Sequence, residues 1–446
     1  MMRLTILCAL ALALAAPLHA QAPLTLAEAF RRADSAAYAN RIAGGDARAR
    51  GAGATAALQG ILPTLRAEAG WVQSDNPLAA FGYTLQQRGV SMASFDPASL
   101  NYPSAVTNWN GGLVAEVPLI NVDAWFGRAA ATSASAAAEA GAGWTRETTR
   151  VDVVRAYFGA MLTRELVRTL EAAAAAARAH VRQAESMVAN GLATKSDALL
   201  ASVQAGQVDA QLIGARGNAR IAREQLALML GQPGDTAFLL PDSLPSADRI
   251  RALTAAADTG AVRLDVTAAR LGVEAAQRDV RRTNAQYIPR LNGFGRYDWN
   301  SPDQPFGGES SYTIGVMASW SPFAGASEIA GRQAAQGRAD AARAMAEAAE
   351  AGAAVERSAT RTQLEVALAR LGIAEVSVAQ GTEAHRIVAK KYAGGLATVA
   401  ELLGAAALET QTRLGLADAR YQAIVADAAA RQAAGADLMA LTVLEN

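Results

Sequence analysis

Cysteine is almost missing from this chain. Of 446 residues only Cys8 is a cysteine, and it lies in an apolar stretch at the N-terminus. Past that stretch neither disulfides nor thiol chemistry is available. Aromatic residues make up only 5% of the chain, while alanine is abundant, which favours helices in close approach. Basic and acidic residues balance at 41 each, so the basic surplus of a nucleic-acid binder is lacking. Histidine is scarce too. His19 belongs to the N-terminal stretch, and His180 and His385 stand alone in helical segments without metal-ligand spacing. Gly191-Leu-Ala-Thr-Lys-Ser196 lacks the glycine that precedes lysine in a phosphate-binding loop. No Ser/His/Asp arrangement is visible. These absences argue against an enzyme and imply no cofactor and no metal.

Long apolar runs are also lacking beyond the N-terminus. Leu170 to Ala179 is alanine-rich and broken by Glu171 and Arg178. Residues 1–20 read as a secretory signal: Arg3 is the positive start, Leu4 to Ala16 the apolar core, and Leu18-His19-Ala20 the cleavage site before Gln21. Pro17 ends the run short of the about 20 residues that span a bilayer. Cys8 has no lipobox before it. An exported chain without a membrane helix can occupy a membrane only through β-strands.

What the chain does have is itself, twice. Asn190-Gly-Leu-Ala-Thr194 returns as Gly394-Gly-Leu-Ala-Thr398, Pro118 as Pro322 and Gly127-Arg128 as Gly331-Arg332, each 204 residues later. A constant offset implies two copies of one long unit with no insertion between these landmarks.

Four segments alternate with period two, the pattern of a strand with one face in lipid and one in water. They are Pro63 to Gln73, Asn108 to Pro118, Pro289 to Trp299 and Ser311 to Pro322. Each is close to the roughly 9–11 residues of a tilted outer-membrane strand. In the last, Tyr312, Ile314, Val316, Ala318 and Trp320 share one face, with aromatics near both ends. The opposite faces of the first three carry Arg66, Glu68, Glu116, Arg290, Arg296 and Asp298, which are expected to line a water-filled barrel lumen. The segments joining each pair, Ser74 to Thr107 and Asn300 to Ser310, have the composition of exposed loops.

The remainder reads as helix. Thr25-Leu-Ala-Glu28 is a capping box opening a helix to about Gln59. A long helix over 123–190 would measure about 100 Å, and Val151, Val154, Phe158, Met161 and Glu165 give it a coiled-coil seam with one polar member. A second long helix spans 327–393. Shorter helices follow each, over 195–230 and 399–435, and another spans Val262 to Tyr287. The expected division is a signal over 1–20, a first repeat over 21–231, a linker of little regular structure over 232–260, and a second repeat over 261–446 ending in a short tail.

Four strands cannot close a barrel, and open edges are not viable in lipid. Three copies would supply twelve strands. The Leu24-Thr-Leu-Ala-Glu-Ala-Phe30 opening, the Tyr287-Ile-Pro-Arg-Leu291 junction and the paired tips at Asn190 to Thr194 and Gly394 to Thr398, in this order and with the repeat, resemble the TolC-like outer-membrane efflux protein family. The resemblance covers nearly all of the mature chain. It implies a mainly α protein with membrane β, forming a homotrimer with a twelve-stranded β-barrel on a twelve-helix periplasmic α-barrel. Such a trimer is a passive exit duct in the outer membrane for a tripartite efflux or type I secretion system, working with a periplasmic adaptor and an inner-membrane transporter.

At the tips, the helices must reverse at Asn190-Gly191 and Gly394-Gly395, where glycine permits positive φ. Leu192 and Leu396 can make a cap contact on their own helices and, without conflict, dock an adaptor; Gly191, Thr194, Gly395 and Thr398 complete these docking tips. Thr194 with Asp197, and Thr398 with Glu401, have capping-box spacing. The resemblance also puts Asp197 and Glu401 in an acidic ring at the periplasmic entrance, six carboxylates in a trimer, which predicts a cation preference. Gly404 and Ala397 stand where some members carry a second acid and a gating arginine, so the family's closed-state lock is incomplete here. The competing class is a periplasmic coiled-coil spacer or adhesin stalk, which explains the helices and leaves the four strands unexplained.

Overall fold

The computed structural model describes residues 23–255 and 262–445. The expected signal segment lies outside them. The chain forms two compact units. One comprises the chain up to Gly45 with Gly141–Val266 and Glu350 onward, and the other Asp46–Ala140 with Thr267–Ala349.

The second unit holds a four-stranded antiparallel sheet in the order β1-β2-β3-β4, with β1 at Thr64–Ser74, β2 at Val106–Ile120, β3 at Arg290–Ser301 and β4 at Glu309–Ser319. Sequence order equals spatial order, so every neighbour pair is a simple antiparallel ladder and β1 and β4 are left as edges. The pairing Ala67–Leu113–Tyr297–Tyr312 runs across one face and Arg66–Val114–Arg296–Thr313 across the other. Alternation read from the sequence thus becomes one apolar and one polar sheet face. Several boundaries differ from expectation by one to three residues. β2 continues past Pro118 through a register shift between Pro118 and Ile120, a bulge that accommodates the missing proline N–H. β4 starts at Glu309 and stops at Ser319, short of Pro322. The loop between β1 and β2 is itself structured, with helices α3 (Pro77–Gln86) and α4 (Pro97–Asn101), capped by Asn76 and Asp96.

The other unit is helical. α1 (Leu26–Ala36) opens on Thr25, with Glu28 N–H donating to Thr25 Oγ1 at 3.2 Å, but the expected box is only half formed because the Glu28 carboxylate accepts from Arg32 Nε at 2.8 Å. The expected continuous first helix is interrupted at Ala37, whose ψ is 133°, and resumes as α2 (Tyr38–Ala56). Asn40 explains the break: its Nδ2 caps the Ala33 carbonyl at 3.1 Å, and its Oδ1 accepts from Thr149 at 2.9 Å.

The long helix α5 (Val122–Ala189) is followed by α6 (Lys195–Met229), and α9 (Ser327–Ala393) by α10 (Val399–Ala434). α7 (Ala247–Ala255) and α8 (Leu264–Ala285) lie between them in sequence. The seam of α5 is occupied as its spacing requires: Val151, Val154, Phe158 and Met161 are buried. Its polar member, Glu165, accepts from Leu244 N at 3.2 Å and faces Arg420 at 3.6 Å. The core gathers Leu26, Phe30, Tyr157, Leu226, Ile250, Leu371 and Ile424.

The linker is more ordered than its proline content suggests. It contains α7, and it buries Leu240 and Leu244 in this core. The C-terminal segment is a 3-10 helix, Leu438–Glu445, that inserts Leu438, Leu441 and Leu444.

Candidate functional site

Each long helix ends in the same reversal. Gly191 has φ +74° and Gly395 has φ +73°. Leu192 N–H donates to Met187 O at 2.9 Å, and Leu396 N–H donates to Lys391 O at 2.8 Å. This is the six-to-one bond that closes a helix through a left-handed glycine. The next helix then starts on a threonine. Asp197 N–H donates to Thr194 Oγ1 at 3.2 Å while Thr194 N–H donates to Asp197 Oδ2 at 2.9 Å. Thr398 and Glu401 make the same reciprocal pair, at 3.2 and 2.6 Å. Both boxes are complete.

Between reversal and box, Leu192 is 74% and Leu396 82% exposed. The tip interior is a small apolar cluster of Ala184, Ala201, Tyr392, Val399, Leu402 and Leu403.

Asp197 and Glu401 therefore already have one task, capping. Hydrogen bonds from the backbone and hydroxyl of Thr194 hold the Asp197 carboxyl below its ordinary range, and Thr398 does the same for Glu401. Both stay ionised at neutral pH and accessible to water. Tyr392 escaped the sequence reading. It is buried, and its hydroxyl has no hydrogen-bond partner. Burial, and then the charge of Asp197, push its pKa up. A comparison of the repeats could have found it, since the residue 204 positions earlier is Val188.

On the sheet, all but one of the charged face's predicted residues pair within the face. Arg66 meets Glu116 at 2.7 Å, Arg296 meets Asp298 at 2.7 Å and Glu68 at 3.4 Å, and Arg290 pairs with Asp123 in the first turn of α5. Gly112 makes the Arg296–Asp298 pair possible: a Cβ there would lie 2.9 Å from Asp298 Oδ1. At the loop end of this face Asn108 and Asn300 are buried. Asn108 Nδ2 donates to Asn300 Oδ1 at 2.8 Å, and Gln87 Nε2, just after α3, donates to Asn108 Oδ1 at 2.9 Å. The opposite face exposes Leu65, Trp71, Tyr312, Ile314 and Val316.

The two histidines are not isolated. α5 and α9 bring the rings of His180 and His385 to a centroid distance of 5.8 Å. Their separation in sequence is close to the repeat offset, a signal that was legible. Among the described residues no group of three or more metal-ligating side chains occurs, and no helix is long and apolar enough to cross a membrane.

The family model described as outer membrane efflux protein matches residues 41–232 and 258–436. Among curated proteins none matches the chain. Among solved structures, the outer membrane protein VceC of Vibrio cholerae is 22% identical with a TM-score of 0.75, over 92% of this chain and 96% of that one. A membrane protein from Pseudomonas aeruginosa is 19% identical with a TM-score of 0.76, over 92% of each chain. The CmeC outer membrane channel of Campylobacter jejuni is 15% identical with a TM-score of 0.74, over 92% of this chain and 85% of that one. At these identities the structures speak for the fold. The family match extends over most of the sequence, and on that ground the chain belongs to the outer membrane efflux protein family, a transport protein of the outer membrane and not an enzyme.

Proposed function

We propose that this protein is the exit duct of a tripartite efflux or type I secretion system, passing cargo from a periplasmic adaptor and an inner-membrane transporter to the exterior. The observation that carries the reading is the sheet. It has four strands, two unpaired edges and one exposed apolar face. Unpaired edges cannot face hydrocarbon, because each free N–H and C=O would go unsatisfied. Joining β1 of one copy to β4 of the next removes every edge, and three copies make a twelve-stranded barrel. The apolar face then meets lipid, and the ion-paired face with Arg66, Glu68, Glu116, Arg290, Arg296 and Asp298 lines the lumen. A coiled-coil spacer or stalk has no use for such a sheet.

The tips are the adaptor-docking ends in this reading. Leu192 and Leu396 are large apolar groups held in water by Gly191 and Gly395 and flanked by Thr194 and Thr398. Asp197 and Glu401, six carboxylates per trimer, form the entrance ring. The lumen face pairs its charges, so the entrance rather than the barrel sets ion preference.

The test is planar-bilayer conductance of the purified trimer. Small cation-selective channels are expected, with selectivity and multivalent-cation block reduced in the D197A/E401A double variant. Folded, membrane-inserted protein whose selectivity ignores both substitutions would remove the entrance ring from this reading. Failure to insert or to form trimers would remove the duct itself.

A further inference from the structure

The histidine pair belongs to the helical unit, upstream of the tips in each long helix. His180 is on α5 and His385 on α9, so the pair joins the long helices of the two repeats. In each ring Nε2 is buried and has no hydrogen-bond partner. An orphaned buried nitrogen has lost its hydrogen bonds to water without replacing them. Two in contacting rings call for a common explanation, and an ion or water is the usual one.

The surroundings narrow the choice. His385 Nδ1 is hydrogen-bonded to Glu409 Oε2. Arg413 donates to the other carboxylate oxygen at 2.7 Å, and Thr382 donates to it at 3.1 Å. The Nδ1 side of His385 is thus committed to Glu409, which leaves the unpartnered Nε2 as its coordinating nitrogen. A carboxylate behind a histidine is the usual outer-shell support of a metal ligand.

Metal–nitrogen bonds of about 2.0–2.1 Å put the centroids of two imidazoles sharing an ion about 5–6 Å apart. The observed 5.8 Å lies in that range. Both rings and Glu409 line one groove of about 1300 Å³, which Glu165 and Asp418 also border. The groove offers access for an ion and water for its remaining positions.

We propose that His180 and His385 are a two-imidazole site for a divalent transition-metal ion of the imidazole-preferring class, such as Zn²⁺ or Cu²⁺. Nε2 of each ring coordinates, water fills the other positions, and Glu409 orients His385. The site ties α5 to α9 across the repeats. It is independent of the conduction reading, since binding requires only the folded protein.

The experiment is metal titration of the tag-free, detergent-solubilised protein, followed by calorimetry with Zn²⁺ and by electron paramagnetic resonance with Cu²⁺. One ion per chain is expected, with Cu²⁺ coupled to two nitrogens. H180Q and H385Q, which keep side-chain bulk, should each abolish stoichiometric binding while the heat-resistant oligomer is retained. E409Q should weaken binding about 10–100-fold. Absence of stoichiometric binding by the wild-type protein would overturn the site and leave a bridging water as the occupant. Binding that survives both histidine variants would overturn it equally, because the ion would then sit elsewhere.

Discussion

The two repeats share their element order and are nearly identical where their helices reverse, but they differ at the far ends of the short helices and in the loops joining the strands. At the tips, φ of +74° and +73° at Gly191 and Gly395, the bonds from Leu192 and Leu396, and the two threonine boxes coincide closely. At the other end of the short helices the repeats reach one result with different residues. Arg223 of α6 holds the carbonyls of Thr236 and Phe238 at 2.9 and 2.8 Å and stacks on Phe238. The position 204 residues later is Asp427, which pairs at 2.8 Å with Arg431, and Arg431 donates to Leu253 O at 3.0 Å. The loops joining the strands diverge fully. One contains α3 and α4, while the other is a short turn with positive φ at Phe306 and Gly308. A helical reversal has few backbone solutions, whereas a connecting loop has many. Duplicated chains therefore keep the first and vary the second.

That comparison can be broken at three points. The largest effect is expected where the repeats differ most in burial. Asp427 is 1% exposed and Arg431 4%. Asp427→Ala leaves a buried, uncompensated guanidinium and should cost about 3–5 kcal/mol. Arg223→Ala, at an exposed position with neutral acceptors, should cost about 1 kcal/mol. Thermal unfolding of the two variants measures the gap, and equal losses would contradict the asymmetry.

Next come the reversals. Gly191→Ala and Gly395→Ala meet no neighbouring atom, so each costs only its left-handed backbone penalty, about 1–2 kcal/mol. The two values should agree. Hydrogen exchange at the tips reads them separately, and a clear inequality would show that the reversals are not equivalent.

The smallest effect is a pH dependence. Hydrogen bonds from the threonines lower the folded-state pKa of Asp197 and Glu401. Their contribution to tip stability is thus fully present above the carboxylates' unfolded values and is lost as pH falls through the lowered folded ones. Thr194→Ala and Thr398→Ala should move each titration back towards its ordinary range, by similar amounts, in carboxyl-carbon NMR. A titration that does not move in either variant would show that the boxes do not set these pKa values.

Much of this was written in local pattern. Pro118 and Pro322, the two Gly-Leu-Ala-Thr tips and the period-two segments determine the repeat, the four strands and the two reversals, because each depends on backbone freedom or side-chain alternation within a few residues. Capping at Thr194 and Thr398 was equally legible, since both partners lie in one turn. Interactions between segments far apart in sequence were not. Only the tertiary structure decided that the strand charges pair with one another or, at Arg290, with Asp123 of α5, that Asn40 interrupts the first helix by bonding to Thr149, and that the linker and the C-terminal leucines enter one core. The same holds for Tyr392, buried without a partner, and for His180 against His385. Each depends on how distant segments dock, and that is set by summed packing over many residues rather than by any spacing along the chain.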